Sequence, residues 1–116
     1  MIPKFKEFNK PVLEILNNYS KVSRAVLITG VSDYFGLDAS ERVSKTSSGR
    51  NVVGDRVSWA LIYLKKAGMI SKVCKGIYKI TPKGKALLEE GLPIIDNWVL
   101  GQHSKAFANY QYMRKH

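Results

Sequence analysis

The chain has a single cysteine, Cys74, so no disulfide can close within it. A reducing compartment such as the cytoplasm is the expected setting. Its two histidines, His103 and His116, lie far along the sequence from that thiol. One Cys and two remote His make no closed zinc site, and no base stands near Cys74 to form a reactive thiolate. No apolar run approaches the roughly 18 residues needed to span a bilayer. The N-terminal Met1-Ile2-Pro3-Lys4-Phe5-Lys6-Glu7 lacks the apolar stretch of a secretory leader. Gly-rich phosphate loops, internal repeats and low-complexity segments are also missing. Nothing in these absences leaves room for a resident cofactor, a small-molecule substrate or a membrane partner, and none is expected.

Acid is the other scarcity. Nine Asp and Glu face 19 Lys and Arg, a formal net charge of +10. From Arg56 to Leu88 there is no acid at all, while Arg56, Lys65, Lys66, Lys72, Lys75, Lys79, Lys83 and Lys85 are all basic. A field of one sign over a folded segment is the footprint of a protein that meets a polyanion. The 45% hydrophobic content argues for a packed core rather than a basic tail, and 116 residues suffice for one compact domain.

Apolar spacing then suggests the elements. Phe5, Phe8, Val12, Ile15 and Leu16 predict a helix over 4–18, with Pro11 either kinking it or marking its first turn. Val26, Leu27, Val31, Tyr34 and Phe35 predict a second helix over 24–36, weakened by Gly30 and stopped by Gly36. Asp38 and Glu41 have the spacing of a capping box for a short helix. Residues 44–50 read as a polar loop. Val53, Val57, Ala60, Leu61 and Leu64 line a third main helix over 53–67, ended by Gly68. Residues 69–73 and 77–81 read as strands around a Lys75-Gly76 turn. Thr81 and Pro82 open a further helix to about residue 90.

The expectation is therefore an α+β, mostly helical winged helix-turn-helix: three helices, a two-stranded β-hairpin wing and a C-terminal helical extension. Gly91-Leu92-Pro93 suggests a boundary between residues 1–91 and 92–116. The second part holds Ile94, Ile95, Trp98, Val99, Leu100, Phe107, Tyr110, Tyr112 and Met113, too apolar for a floppy tail. Packing on helix one, homodimerisation and a linker to a further domain all remain open for it.

Several blocks are similar to the N-terminal domain of Mrr-type restriction proteins. They are Ile2-Pro3-Lys4-Phe5 with Pro11-Val12-Leu13, Tyr34-Phe35-Gly36-Leu37, the run from Arg56 to Gly68, and the run from Gly76 to Gly84. They cover roughly residues 2–90, and the Arg56–Gly68 block is the most specific. The resemblance implies a winged helix that binds DNA, with a role in restriction or in recognising modified DNA. In that family a nuclease domain usually follows. Its metal-holding carboxylates, with an acid or Gln two positions before a Lys, have no match: no Asp, Glu or Gln here has Lys two residues later, and Asp96 is the only acid after Gly91. The expected protein is no enzyme.

The candidate DNA-binding residues follow from the scaffold. Ser48, Arg50, Asn51, Arg56 and Ser58 cluster at the start of helix three, where side chains can meet base edges; Arg pairs with guanine and Asn with adenine. Lys66, Lys72, Lys75 and Lys79 sit at the helix end and on the hairpin, where they would meet phosphates. Asp55 fits the positive end of that helix. Trp59 and Ile62 lie opposite the apolar stripe. They are either a stacking platform for a base or, as the small domain favours, a second buried side between helix one and the hairpin. A double-stranded DNA reader is the leading expectation. A small transcriptional regulator of the same fold and a protein–protein adaptor are the alternatives.

Overall fold

The computed structural model describes residues 1–115; His116 lies outside the described residues. A 3-10 turn, Phe5–Glu7, precedes α1, Asn9–Asn18. The single helix expected from residue 4 is thus broken at Phe8, which is fully buried. Pro11 is the third residue of α1, where the missing N–H would have no helical partner anyway. It begins the helix rather than kinking it.

Val22–Ser23 forms a short strand, β1, that two residues were too few to reveal. Ser23 then caps α2, Arg24–Tyr34, by accepting a hydrogen bond from the Val26 N–H at 3.2 Å. Gly30, a weakness in a helix taken alone, has a packing reason. A Cβ there would stand 2.8 Å from Ile15 Cδ1, so glycine lets α1 and α2 approach closely. α3, Ala39–Arg42, carries the expected box: Asp38 accepts from the Glu41 N–H and Glu41 from the Asp38 N–H. The following polar loop is ordered by a Lys45–Asn51 bridge and by the Thr46 N–H donating to Arg50 O at 2.7 Å.

α4, Val52–Lys66, buries Val53, Val57, Ala60, Leu61 and Leu64. Gly68 closes it with φ +77°, and the Met69 N–H returns to Leu64 O at 2.9 Å. β2, Ile70–Cys74, and β3, Ile77–Ile80, turn through Lys75-Gly76, where Gly76 has φ +79°. The sheet has three antiparallel strands in the order β1-β3-β2, not two. Val22 pairs with Tyr78 and Ser23 with Ile77.

Thr81 caps α5, Pro82–Glu89. Within α5, Gly84 sits so close to the strand entry that a Cβ would fall 2.2 Å from Met69 O. Asp96 caps α6, Asn97–His103, and Ser104 Oγ accepts from the Phe107 N–H at the start of α7, Lys105–Lys115. Ile95, Leu100 and Phe107 are buried in the same apolar cluster as Leu13, Leu27, Val57 and Leu64. Polar ties fasten this segment to α1: Asn9 Nδ2 donates to Ile95 O at 2.9 Å and Lys10 Nζ to Leu92 O at 2.6 Å.

The order helix, strand, three helices, hairpin, with a three-stranded sheet closed by the short first strand, is a winged-helix arrangement. α2 and α4 form the helix-turn-helix pair, with α3 inserted between them.

Candidate nucleic-acid interface

A helix-turn-helix offers DNA the outward side of its second long helix, here α4. The buried stripe fixes which side that is. Opposite it stand Asp55, Ser58, Trp59, Ile62, Lys65 and Lys66. Trp59 and Ile62 remain 37% and 40% exposed. This overturns the expectation that they fill a second buried side. α1 and the hairpin both pack against α4, and the outer side faces water except along the flank that meets α7.

The first turn of α4 is tightly furnished. Asn51 is its cap: Oδ1 accepts from the Gly54 N–H at 2.8 Å, and Nδ2 donates to Arg42 O at 2.7 Å. Arg50 Nε donates to Asp55 Oδ1 at 2.9 Å in a solvent-facing ion pair, an arrangement of little energetic weight. Arg56 turns away from the outer side. Its Nη1 donates to the carbonyls of Ile2 and Pro3, pinning the N-terminal segment to the helix. Ser58 Oγ accepts from Arg24 Nε at 2.8 Å, and Arg24 Nη2 also donates to Gly54 O at 3.1 Å. Ser48 lies in the exposed loop, its hydroxyl 3.0 Å from that of Thr46.

Arg24 is a site residue that the sequence does not announce. It is the first residue of α2, and its partners lie 30 and 34 positions away. No local spacing signals such a contact. With Arg50, Asn51, Asp55, Ser58, Trp59 and Ile62 it lines an open depression of about 560 Å³.

The flank of α4 toward its C-terminus meets α7. Trp59 stacks on Tyr63, with centroids 5.7 Å apart and planes 27° from parallel. Tyr63 meets the Phe107 ring edge-on at 6.0 Å. Lys66 Nζ lies 5.1 Å from the centre of the Tyr110 ring. The Arg114 guanidinium lies 5.9 Å from both Trp59 and Tyr110, and hydrogen bonding to the Tyr63 phenol raises its pKa further. Lys66 is thus engaged by the extension rather than standing clear.

The hairpin lysines are all exposed. The register pairs Lys72 with Tyr78 and Ser71 with Lys79. Lys72 and Lys79 therefore leave opposite faces of the hairpin, while Lys75 occupies its tip. Arg50, Asn51 and Ser58 line the depression beside α4, and Lys72, Lys75 and Lys79 lie on the hairpin; Ser48 in the loop, Lys66 against Tyr110 and Arg56 against the N-terminal segment belong to neither group.

Among the described residues, no group of three or more His, Cys, Asp or Glu is arranged to hold a metal ion, and no helix is long and apolar enough to cross a membrane. His103 bridges the extension to α5: Nε2 lies 2.8 Å from Glu90 Oε2, and Nδ1 lies 3.0 Å from Val99 O.

Fold and site together define a winged-helix domain with a basic hairpin. The Mrr N-terminal domain family model matches residues 5–90, and the chain belongs to that family. It is also similar to a type IV methyl-directed restriction enzyme, EcoKMrr of Escherichia coli (strain K12), at 32% identity over 84 residues. That match covers 72% of this chain and 28% of the relative, so the likeness spans little more than a quarter of the longer protein. No solved structure matches the chain.

Proposed function

We propose that the chain is a non-catalytic reader of double-stranded DNA, working in the cytoplasm as part of a restriction system. The observation that carries this is the acid-free segment from Arg56 to Leu88, folded as the outward helix and wing of a winged helix. Membership in the Mrr N-terminal family supports it, as does the likeness to a methyl-directed restriction enzyme. The likeness covers only the part of that enzyme matched here, so its whole activity is not carried over.

In this reading α4 enters the major groove and the hairpin runs beside it. Lys75 at the tip, with Lys72 and Lys79 on the two faces, meets phosphates on both sides of an inserted wing. Ser48, Arg50, Ser58 and Lys66 border the groove-facing side. Asn51 and Arg56 act by holding α4 in place, through its cap and through the N-terminal segment. Residues 1–91 supply the reading unit. The segment after residue 91 buttresses α4, and a homodimer through it would use the exposed Trp98, Tyr112 and Met113.

Duplex binding measured by electrophoretic mobility at two salt concentrations tests the proposal. Three wing lysines on phosphates give a slope of log K on log salt of about −2.7, and each further contact adds about −0.9. Absence of duplex binding at low salt, with capture of an acidic protein instead, would move the function to that of an adaptor.

A further inference from the structure

We infer that the seam between α4 and α7, built on Lys66, Tyr110 and Arg114, receives phosphates of the duplex backbone, so that the C-terminal extension is part of the nucleic-acid surface and not only its buttress. This rests on the DNA-reading proposal above and carries it past residue 90, where the family match ends.

The first observation is where the seam lies. Lys66 stands on the outward side of α4, and its Nζ is 5.1 Å from the centre of the Tyr110 ring. Arg114, one turn further along α7, holds its guanidinium 5.9 Å from the centres of that ring and of Trp59. Trp59 belongs to the outward side of α4 as well. A ligand lying along that side of α4 therefore meets α7 at the same time.

The second observation is that these cations have no counter-charge. Among the described residues, none of the ion pairs includes Lys66 or Arg114. No Asp or Glu occurs after Asp96, and the Asp96 carboxylate caps α6, where it accepts from the Val99 N–H at 3.0 Å. Glu90 is taken by His103. The Tyr110 ring attracts each cation but neutralises neither. Two like charges gathered on one ring repel each other, and an arriving anion relieves the repulsion. α4 carries no acid after Asp55, and the hairpin carries none. The anion that suits all three elements is the phosphodiester chain that the reading above lays along α4, rather than an acidic protein.

The third observation is that the seam is built before a ligand arrives. The Arg114 guanidinium is hydrogen-bonded to the Tyr63 phenol and lies near two rings, which spares the ordering cost of a free side chain. One such bond leaves the other N–H groups of the fork to meet phosphate oxygens, a geometry that arginine suits. Beside it, Tyr63, Asn97, Tyr110, Gln111 and Arg114 border an open depression of about 220 Å³, room enough for a phosphate group. Its other lining side chains are phenols and amides, which can donate to phosphate, and none is a carboxylate.

The test uses the full chain and the salt dependence of duplex binding, with circular dichroism showing each variant folded. Arg114→Gln and Lys66→Gln remove one charge each, and each should flatten the slope of log K on log salt by about 0.9. Across a fourfold change in salt, that makes the fall in affinity about 3.5-fold smaller. Arg114→Lys, which keeps the charge, should keep the slope. Lys105→Gln, at an exposed position opening α7, should keep it too. A change at Lys105 as large as that at Arg114 overturns the site in favour of diffuse charge. Slopes unchanged by both Arg114→Gln and Lys66→Gln, while Lys75→Ala flattens its own, overturn the seam and leave the DNA reading intact. Inorganic phosphate is the probe for a free anion, read by tryptophan emission in the Trp98→Phe background. An emission shift that Arg114→Gln abolishes, with the duplex slope of that variant unchanged, assigns the site to free phosphate and overturns the duplex contact. No duplex binding by the unaltered chain at low salt overturns the DNA reading and this inference together.

Discussion

Replacing Arg56 separates two roles that the sequence could not. A base-reading arginine would lose site discrimination of about 1–3 kcal/mol on truncation, with the fold unharmed. In the structure Arg56 instead anchors the chain's first residues, its guanidinium donating to the Ile2 and Pro3 carbonyls. A hydrogen bond from a charged donor contributes about 1.5–3 kcal/mol. Arg56 is only half-buried, so water replaces part of what is lost and the low end applies, about 1.5 kcal/mol. Loosening the first residues also weakens the Phe5–Tyr63 ring contact at 6.1 Å. For a chain of this size each kcal/mol moves the melting temperature by roughly 4 °C. Arg56→Ala should therefore melt about 6 °C lower by circular dichroism. Its duplex affinity at a temperature where it is folded should match the parent, with the same salt slope. Arg56→Lys, which supplies a single ammonium rather than a fork, should recover part of the loss. An unchanged melting temperature together with lost discrimination between duplexes would refute this reasoning and return Arg56 to the groove.

Lys75→Ala should weaken binding to all duplexes alike and flatten the salt slope by about 0.9, which titration at several salt concentrations would show. Gly84→Ala puts a carbon where Met69 O already stands, 2.2 Å away; backbone cannot yield cheaply, and a loss of about 2–3 kcal/mol is expected in urea denaturation. Phe107→Ala empties a fully buried site beneath Tyr63 and should cost about 3–5 kcal/mol by the same assay, whereas Trp98→Ala, at an exposed position, should cost almost nothing. Stability should also depend on pH near the N-terminus. The Glu41 N–H and the Ser40 hydroxyl lower the Asp38 pKa, and the terminal ammonium 2.5 Å away lowers that of Glu41. Lowered carboxylate values mean a contribution that is complete above the ordinary carboxylate range and lost as pH falls through the folded-state values. The ammonium, raised by Glu41, contributes below its ordinary range and loses that contribution as pH rises through its folded-state value. Melting curves across pH would show both flanks, and Glu41→Gln should flatten the alkaline one.

The elements that were legible are those whose signals are local. Capping is written within three residues, so Asp38 with Glu41, and Thr81 with Pro82, announce their helices. Positive φ is written in single glycines, so Gly68 and Gly76 mark a helix end and a hairpin tip. The Val53–Leu64 stripe is written at helical period and gives the buried side of α4. What escaped depends on distant partners. β1 is two residues long and is defined only by its pairing with β3. Gly30 reads as a helix weakness until Ile15 is seen against it. Arg24 looks like any surface arginine until Ser58 and Gly54 arrive beside it. Arg56 looks like a groove residue until the N-terminus folds back onto it.

Trp59 and Ile62 show why the helical wheel alone cannot decide burial. The wheel puts them opposite the stripe, where they stand, but their exposure depends on what else packs on α4. α7 comes to that flank and could have covered them. Instead the Phe107 ring meets Tyr63 edge-on, and the Arg114 guanidinium of α7 lies 5.9 Å from the Trp59 ring. A cation at that place leaves the outward edge of the tryptophan wet, whereas a leucine would have invited closure over it. The extension thus supports the helix without capping its apolar face. An Arg114→Leu variant tests the point: if α7 then closes over the ring, tryptophan emission in the Trp98→Phe background shifts to shorter wavelength, the melting temperature rises, and binding to duplex DNA weakens. A rise in stability with undiminished binding would mean that the open face of α4 plays no part in recognition.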